Sequence, residues 1–249
     1  MTSERLVRTQ QLLGERALGL LKDASVAVFG LGAVGSFAIE TLVRAGLGRL
    51  TLVDFDKIKL SNFNRQLLAL ESTRDRLKTD VAKQRILEIN PDCRLSVHSV
   101  FASPENYGEI LTPAPDVVID AIDSLNPKAG LIEYCVKNGI PVVSSMGAGE
   151  KTDPLLVRIG DLSEVKVCAL AKHLKKRLRK RQIKSGVRCV YSLQKPLKSK
   201  AIWTEQDHED HLRRRGRKRE PVGTIVYMTG IFGLLCGYEA INLILNKPN

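Results

Sequence analysis

The chain contains no CxxC pair. Its five cysteines, Cys93, Cys135, Cys168, Cys189 and Cys236, are odd in number and widely spaced, which excludes a disulfide framework and a cysteine-based zinc site. The four histidines, His98, His173, His208 and His211, show no metal-ligand spacing, so no zinc is expected. The N-terminal stretch is charged and amphipathic and lacks the basic end followed by an apolar run that marks a secretory signal. A cytoplasmic, reducing compartment is the resulting expectation. Long uncharged runs are scarce too. Pro221 to Tyr238 carries no charge over 18 residues, but Gly223, Gly230, Gly233 and Gly237 interrupt it and Glu239 follows. We read it within a closing strand and buried helix, Val222 to Leu245, and do not favour a membrane contact. No internal repeat is visible.

Acidic residues are absent where basic ones crowd. The 249 residues hold 39 Lys and Arg against 27 Asp and Glu, a net charge of +12. Residues 172–200 carry 12 basic side chains and no acid, and residues 213–219 carry 6 more, so the rest of the chain is acidic by six. A basic character confined to two stretches predicts a local anion-binding surface, with nucleic acid the first candidate, a membrane surface the second and a solvated helical face the plainer alternative. In the first stretch, Lys172, Lys175, Lys176, Arg177, Arg179, Lys180 and Arg181 share a helical pattern with Leu174 and Leu178, which anchor one face while the cations project outward. These seven are the candidate nucleic-acid contacts.

With 43% hydrophobic and 27% charged residues the chain is globular. Short apolar runs alternate with helical patterns: strands at 25–29, 50–53, 94–100, 116–119 and 141–144, with helices at 36–44, 75–89 and 127–137. Further strands are expected at 155–159 and 187–191, a basic helix at 163–181, and a polar loop over 194–220. The pattern is that of an α/β, Rossmann-like domain, a mainly parallel sheet flanked by helices with C-terminal strands and a closing apolar helix. We expect one domain over 1–249. Residues 1–150 form its nucleotide-binding half and 151–249 its substrate-binding and dimerisation half.

Gly30, Gly32 and Gly35 follow the first strand directly and open a helix, the context in which glycines admit a phosphate to backbone amides at a helix N-terminus. Asp54 ends the second strand, where a carboxylate accepts hydrogen bonds from ribose hydroxyls. The next stretch, DFDKIKLSNFNRQ, crowds acids, amides and an arginine beyond that point. A hydride carrier needs none of this, which argues against a nicotinamide oxidoreductase. Attack on an α-phosphate does need cations and a metal-bound carboxylate; Arg65, Lys78 and either Asp120 or Asp123 supply them.

GLGAVG, LVDFD, SNFNRQ, LKTDVAK and DAIDS, in that order across residues 30–124, resemble the ubiquitin-activating-like adenylyltransferases, which include the activators of sulfur-carrier proteins. RLVRTQQLLGERAL, INPDCRLSV, NPKAGLIEYCVKNGIPVVSSMGAG and DLSEVKVCALAKHLKKRLRKRQI extend the resemblance to one branch, the tRNA threonylcarbamoyladenosine dehydratases. The resemblance implies ATP and Mg2+ as cofactors. Gly30, Gly32 and Gly35 would surround the phosphates and Asp54 the ribose, with Asn62, Arg65 and Gln66 lining the phosphate channel, Lys78 on phosphate oxygens and Asp123 on the metal. Arg8 lies where relatives reach across a twofold axis into the partner's site, which implies a homodimer. The implied reaction is ATP-dependent activation of the threonyl carboxylate on a modified adenosine beside the anticodon, followed by ring closure with loss of water. The rival within the family is activation of the C-terminus of a sulfur-carrier or ubiquitin-like protein. A cysteine desulfurase or sulfur-acceptor system comes with the same resemblance as a further partner. Some dehydratases have a cysteine shortly before the closing helix; Arg219 to Gly223 has none, and no catalytic cysteine is nominated.

Overall fold

The computed structural model describes residues 4–197, 202 and 222–247. The elements run α1 (Val7–Leu13), α2 (Glu15–Asp23), β1 (Ser25–Phe29), α3 (Gly35–Arg44), β2 (Arg49–Val53), α4 (Lys78–Ile89), β3 (Arg94–His98), α5 (Tyr107–Ile110), β4 (Val117–Asp120), α6 (Leu125–Lys137), β5 (Val142–Ser145), β6 (Val157–Asp161), α7 (Ala169–Arg179), β7 (Arg188–Ser192) and α8 (Val226–Leu245). The strands form one sheet in the order β3-β2-β1-β4-β5-β7-β6. All neighbours pair in parallel except β6, which runs antiparallel to β7 at the edge.

Successive strand side chains point to opposite faces, and in β1 both faces are apolar. Val26 and Val28 enter one core with Leu50, Leu52, Val117 and Ile119; Ala27 and Phe29 enter the other with Val53 and Val118. Helices α3, α4 and α8 cover the first face, and α5, α6 and α7 the second. Burying one such aliphatic side chain is worth about 1.5–3 kcal/mol, so short apolar strands suffice when both faces are covered. Helix α8 is long and apolar enough to cross a membrane, yet here Met228, Phe232, Cys236, Ala240 and Ile244 fill the first core at helical spacing. Gly233 lets it approach α3, since a Cβ there would collide with the Val34 carbonyl. Its one acid, Glu239, is buried and bonded to Arg188 Nε at 2.7 Å.

Several expected boundaries move. The helix expected from Asp75 starts at Lys78, because Asp75 has φ of 62° and Leu77 bridges to Lys57 as an extended residue. The helix expected over 163–181 is α7 alone: Val165 and Cys168 stay extended and turn their side chains into the core. No strand forms over 222–225. The Gly223 and Thr224 carbonyls accept instead from the Glu150 amide and the Asn64 carboxamide, so this segment is a strap and not part of a ladder. Most of the polar loop expected over 194–220, with the 213–219 basic run, His208 and His211, lies outside the described residues.

Candidate functional site

The strand order reverses direction between β1 and β4, and an open α/β sheet binds ligands beyond the carboxyl ends of its strands at such a point. There β1 delivers the glycine turn. Gly30 has φ of +87°, and a Cβ on it would lie 2.8 Å from the Ala121 carbonyl oxygen; one on Gly35 would collide with Gly30 itself. Both glycines are demanded by packing. Gly32 is different, because a Cβ there meets nothing nearer than Gln66 Nε2 at 3.6 Å. Its bareness is not required by the protein and suits the approach of a ligand to the backbone.

Asp54, at the end of β2, closes over this turn. One carboxylate oxygen accepts from the Leu31 amide at 2.6 Å and the other from the Asp56 amide at 2.8 Å. Burial pushes the Asp54 carboxyl up from its ordinary value, and the Lys78 ammonium and the two amides hold it back. Lys78, the first residue of α4, is buried with its ammonium 2.9 Å from Asp56 Oδ2 and 4.0 Å from Asp54 Oδ2. Asn62 builds the neighbouring turn: its side-chain oxygen accepts from the Lys59 amide, and its carbonyl accepts from Arg65 and Gln66. Arg65 Nη1 donates to the Ser61 carbonyl at 2.7 Å and to Asn64 Oδ1 at 2.8 Å. Gln66 Oε1 is buried with no hydrogen-bond partner among the described residues, while Nε2 of the same side chain faces Gly32. An acceptor so placed costs about 1–3 kcal/mol unless something donates to it, and nucleotides carry such donors.

The loop after β4 gives Asp120 and Asp123 different surroundings. Asp120 is fully buried, paired with Lys128 Nζ at 2.9 Å and accepting from Ser144 Oγ at 2.7 Å and from the Ile122 amide at 3.2 Å. Lys128, also fully buried, reaches back from the first turns of α6 to donate to the Ile122 carbonyl at 2.9 Å. Asp120 is therefore committed to holding the loop. Asp123 is exposed on that loop, accepting from Ser124 Oγ at 3.1 Å. Ala121 of the same loop lies against Gly30 and Gly35. Among the described residues no group of three or more His, Cys, Asp or Glu is placed to hold a metal. An exposed carboxylate suits Mg2+, which takes one or two carboxylates and completes its shell with phosphates and water.

Gly30, Gly32, Gly35, Asp54, Asn62, Arg65, Gln66, Lys78 and the Asp123 loop thus gather at one end of the sheet. Arg8 does not join them. Arg5 donates to the carbonyls of Glu88 and Ile89, and Leu6 packs on Gly46, so α1 starts from the amino ends of the strands. Arg8 is exposed there and bonds to Gln11 at 2.9 Å. A recess of about 1120 Å3 opens at that same end, lined by Arg5, Glu15, Lys22, Arg49, Asp92 and Arg94; its charges are mixed and none of the site residues borders it.

On α7 the buried Ala171, Leu174 and Leu178 leave Lys172, Lys176, Arg177, Arg179 and Lys180 exposed. Two of the seven expected cations are engaged internally. Lys175 donates to the Val165 carbonyl at 2.6 Å, and Arg181 to Glu133 at 2.6 Å and the Ala129 carbonyl at 3.0 Å. All five cysteines are free and buried. Burial raises the Cys93 thiol to about 11, those of Cys135 and Cys189 to about 12, and Cys236 further still, so these four stay protonated at neutral pH and are poor nucleophiles.

A doubly wound sheet with this glycine turn and these flanking residues defines a class, and the family model described as the ThiF family matches residues 4–249. The chain belongs to that family. It is 38% identical over 234 residues to the tRNA threonylcarbamoyladenosine dehydratase of Bacillus subtilis, covering 94% of this chain and 92% of that one. Crystal structures of Escherichia coli tRNA N6-threonylcarbamoyladenosine dehydratase, TcdA, in complex with AMP and with ATP match with TM-scores of 0.86 and 0.85 at 35% identity, over 98% of this chain and 95% of theirs. The adenylyltransferase and sulfurtransferase MOCS3 of Drosophila willistoni is 38% identical over 133 residues, 53% of this chain and 28% of that protein.

Sequence reasoning missed three features of this end of the sheet. Lys128 sits in an otherwise apolar helix face, a signal that was readable. The unpartnered Gln66 oxygen and the burial of Lys151, 4% exposed after β5, depend on tertiary packing and leave no local trace.

Proposed function

We propose that this chain is an ATP-dependent tRNA threonylcarbamoyladenosine dehydratase. A threonyl carboxylate oxygen of the modified adenosine beside the anticodon attacks the α-phosphorus of ATP, and the bond to the departing pyrophosphate breaks. The neighbouring amide group, losing its proton, then closes onto the activated carbonyl as the bond to AMP breaks, so the nucleoside loses one water. Ring closure is intramolecular and proximity supplies much of its rate; the protein's main task is to make the anhydride. The observation that carries this reading is the extent of the likeness to the dehydratases: it runs through the basic helix and the closing helix, whereas the likeness to a protein-tail activator covers about half the chain.

In this reading the amides of the glycine turn and Arg65 take the phosphates, and Gln66 offers its unpartnered oxygen to a nucleotide donor. Asp54 holds the ribose. Lys78, already between two acids, is shared with phosphate oxygens as charge develops there. Asp123 would hold Mg2+, which when bound would supply charge neutralisation at the α-phosphate. Arg8 acts in trans, because its own chain places it at the far end of the sheet; the active form is then a homodimer. The cytoplasm suits five free thiols.

Purified protein incubated with ATP, Mg2+ and tRNA bearing threonylcarbamoyladenosine is expected to yield a nucleoside lighter by one water on mass spectrometry. No change in mass, together with ATP–pyrophosphate exchange in the absence of tRNA, would turn the assignment to a protein-tail adenylyltransferase.

The tRNA surface is the exposed face of α7. Phosphate contacts of this kind give affinity without sequence reading and suit a substrate recognised by shape and one modified base. Changing Lys172, Lys176, Arg179 and Lys180 together to Gln should weaken tRNA binding and lower its salt dependence by roughly one unit per contacting cation. Changing Lys175 and Arg181 should instead affect folding stability, since their bonds are internal. Unchanged tRNA affinity in the fourfold variant would place the surface elsewhere.

A further inference from the structure

Three lysines are buried among the described residues. Lys78 is paired with Asp56 and Lys128 with Asp120. Lys151, in the loop after β5, is 4% exposed, yet among the described residues it has neither a hydrogen-bond nor an ion-pair partner, and its ammonium still reaches solvent. A lysine whose stem is buried this far, with its ammonium at an opening and no counter-charge among the described residues, is placed to meet an anion.

The position of the loop identifies that anion. Along the sheet, β2 carries Asp54, β1 the glycine turn, β4 the Asp123 loop, and β5, the next strand out, the loop of Lys151. Neighbouring strands are about 4.8 Å apart, so the series runs from ribose through phosphates to the group beyond the α-phosphate. The loop is tied to the phosphate side through the strap: Asn64 Nδ2 donates to the Thr224 carbonyl at 3.2 Å, and the Glu150 amide to the Gly223 carbonyl at 2.8 Å. It is tied to the basic helix as well, since a Cβ on Gly147 would lie 3.5 Å from the sulfur of Cys168, the residue immediately before α7. Lys151 therefore lies between the place of activation and the cationic face of α7.

We propose that Lys151 binds the substrate carboxylate that is to be activated, holding it in line with the α-phosphate. The proposal rests on the function assigned above. Its charge neutralises the carboxylate on binding and orients one oxygen for attack; the other oxygen stays on the ammonium as the anhydride forms.

The test uses the full chain with Lys151→Met and Lys151→Gln, with Lys151→Arg as the conservative variant. Three quantities are measured: the thermal midpoint, the affinity for ATP by equilibrium binding, and the rate of water loss from modified tRNA at saturating ATP. The neutral variants should melt at or above the wild-type temperature and bind ATP within about twofold of it. Their kcat/KM for modified tRNA should fall about a hundredfold, the scale of losing one charge-stabilising donor, with part of the loss recovered by arginine. Wild-type kcat/KM in Lys151→Gln overturns the proposal. A parallel loss of ATP affinity overturns it too, placing the ammonium on a phosphate, and a lowered melting temperature in both neutral variants makes the lysine structural. If the wild-type protein itself removes no water, the function assigned above fails and this inference with it, an outcome distinct from failure of the variants alone.

Discussion

Lys128→Met will lower the free energy of unfolding by about 3–5 kcal/mol, the scale measured when one member of a buried ion pair is removed. The expectation follows from what remains. Asp120 has no exposed surface, and its carboxylate keeps only the Ser144 hydroxyl and the Ile122 amide as donors. The Ile122 and Asp120 carbonyls lose the ammonium as well. Urea denaturation monitored by circular dichroism gives the number, and for a chain of this size the melting temperature should fall by about 2–4 °C for each kcal/mol. The double variant Lys128→Met/Asp120→Asn should recover a large part of the loss, because an uncompensated buried charge is the main cost; the cycle of four proteins gives the coupling directly. A double variant as unstable as the sum of the singles would show that the two groups act independently. The functional consequence lies in the loop. Lys128 holds Asp120 and Ile122 on either side of Ala121, and Asp123 follows, so a protein that survives Lys128→Met should also lose turnover.

That pair shows why the fold was more legible than the site. Strand β1, the glycine turn and the start of α3 are written locally: a β-branched run, then glycines, then helix formers, in an order few other structures use. Both faces of β1 are buried, so no polar residue obscures the signal. The start of α4 was misplaced by three residues because Asp75 is a good helix residue by pattern but adopts φ of 62°, a choice made by the turn that brings Leu77 onto Lys57. The strap at 222–225 has the β-branched composition of a strand, yet its carbonyls go to Glu150 and Asn64 and not to a ladder. Charge is harder still. Lys128 is marked by its apolar helix face, but nothing local separates Lys78 and Lys151, which are buried, from Lys172 and Lys176, which are exposed; there only the assembled sheet decides. Asp120 and Asp123 sit three residues apart in the same motif, and only the assembled structure shows that a lysine eight residues beyond Asp120 folds back beneath the loop to pair with it.

Asp123→Ala is expected to reduce the rate of water loss from modified tRNA by about a thousandfold, the combined scale of losing an electrostatic stabiliser and a metal-binding carboxylate. Stability should change little. The side chain is exposed, so its removal opens no cavity, and its bond to Ser124 Oγ at 3.1 Å joins neighbours in a surface loop; surface changes of this kind fall within about 0.5 kcal/mol. Asp123→Asn should be nearly as inactive as alanine, because the shape is kept while the charge is lost. The role in metal binding separates from mere placement through Asp123→Cys: a thiolate prefers softer ions than Mg2+, so activity lost with Mg2+ should return in part with Mn2+, and this rescue should be missing in Asp123→Ala. The lysine–aspartate clamp beneath the loop makes the comparison clean, since Asp120 and Lys128 hold the backbone at Ile122 whatever stands at position 123. Wild-type turnover in Asp123→Ala would remove the residue from the site, and an inactive Asp123→Cys that no metal rescues would assign its carboxylate to orienting the substrate instead.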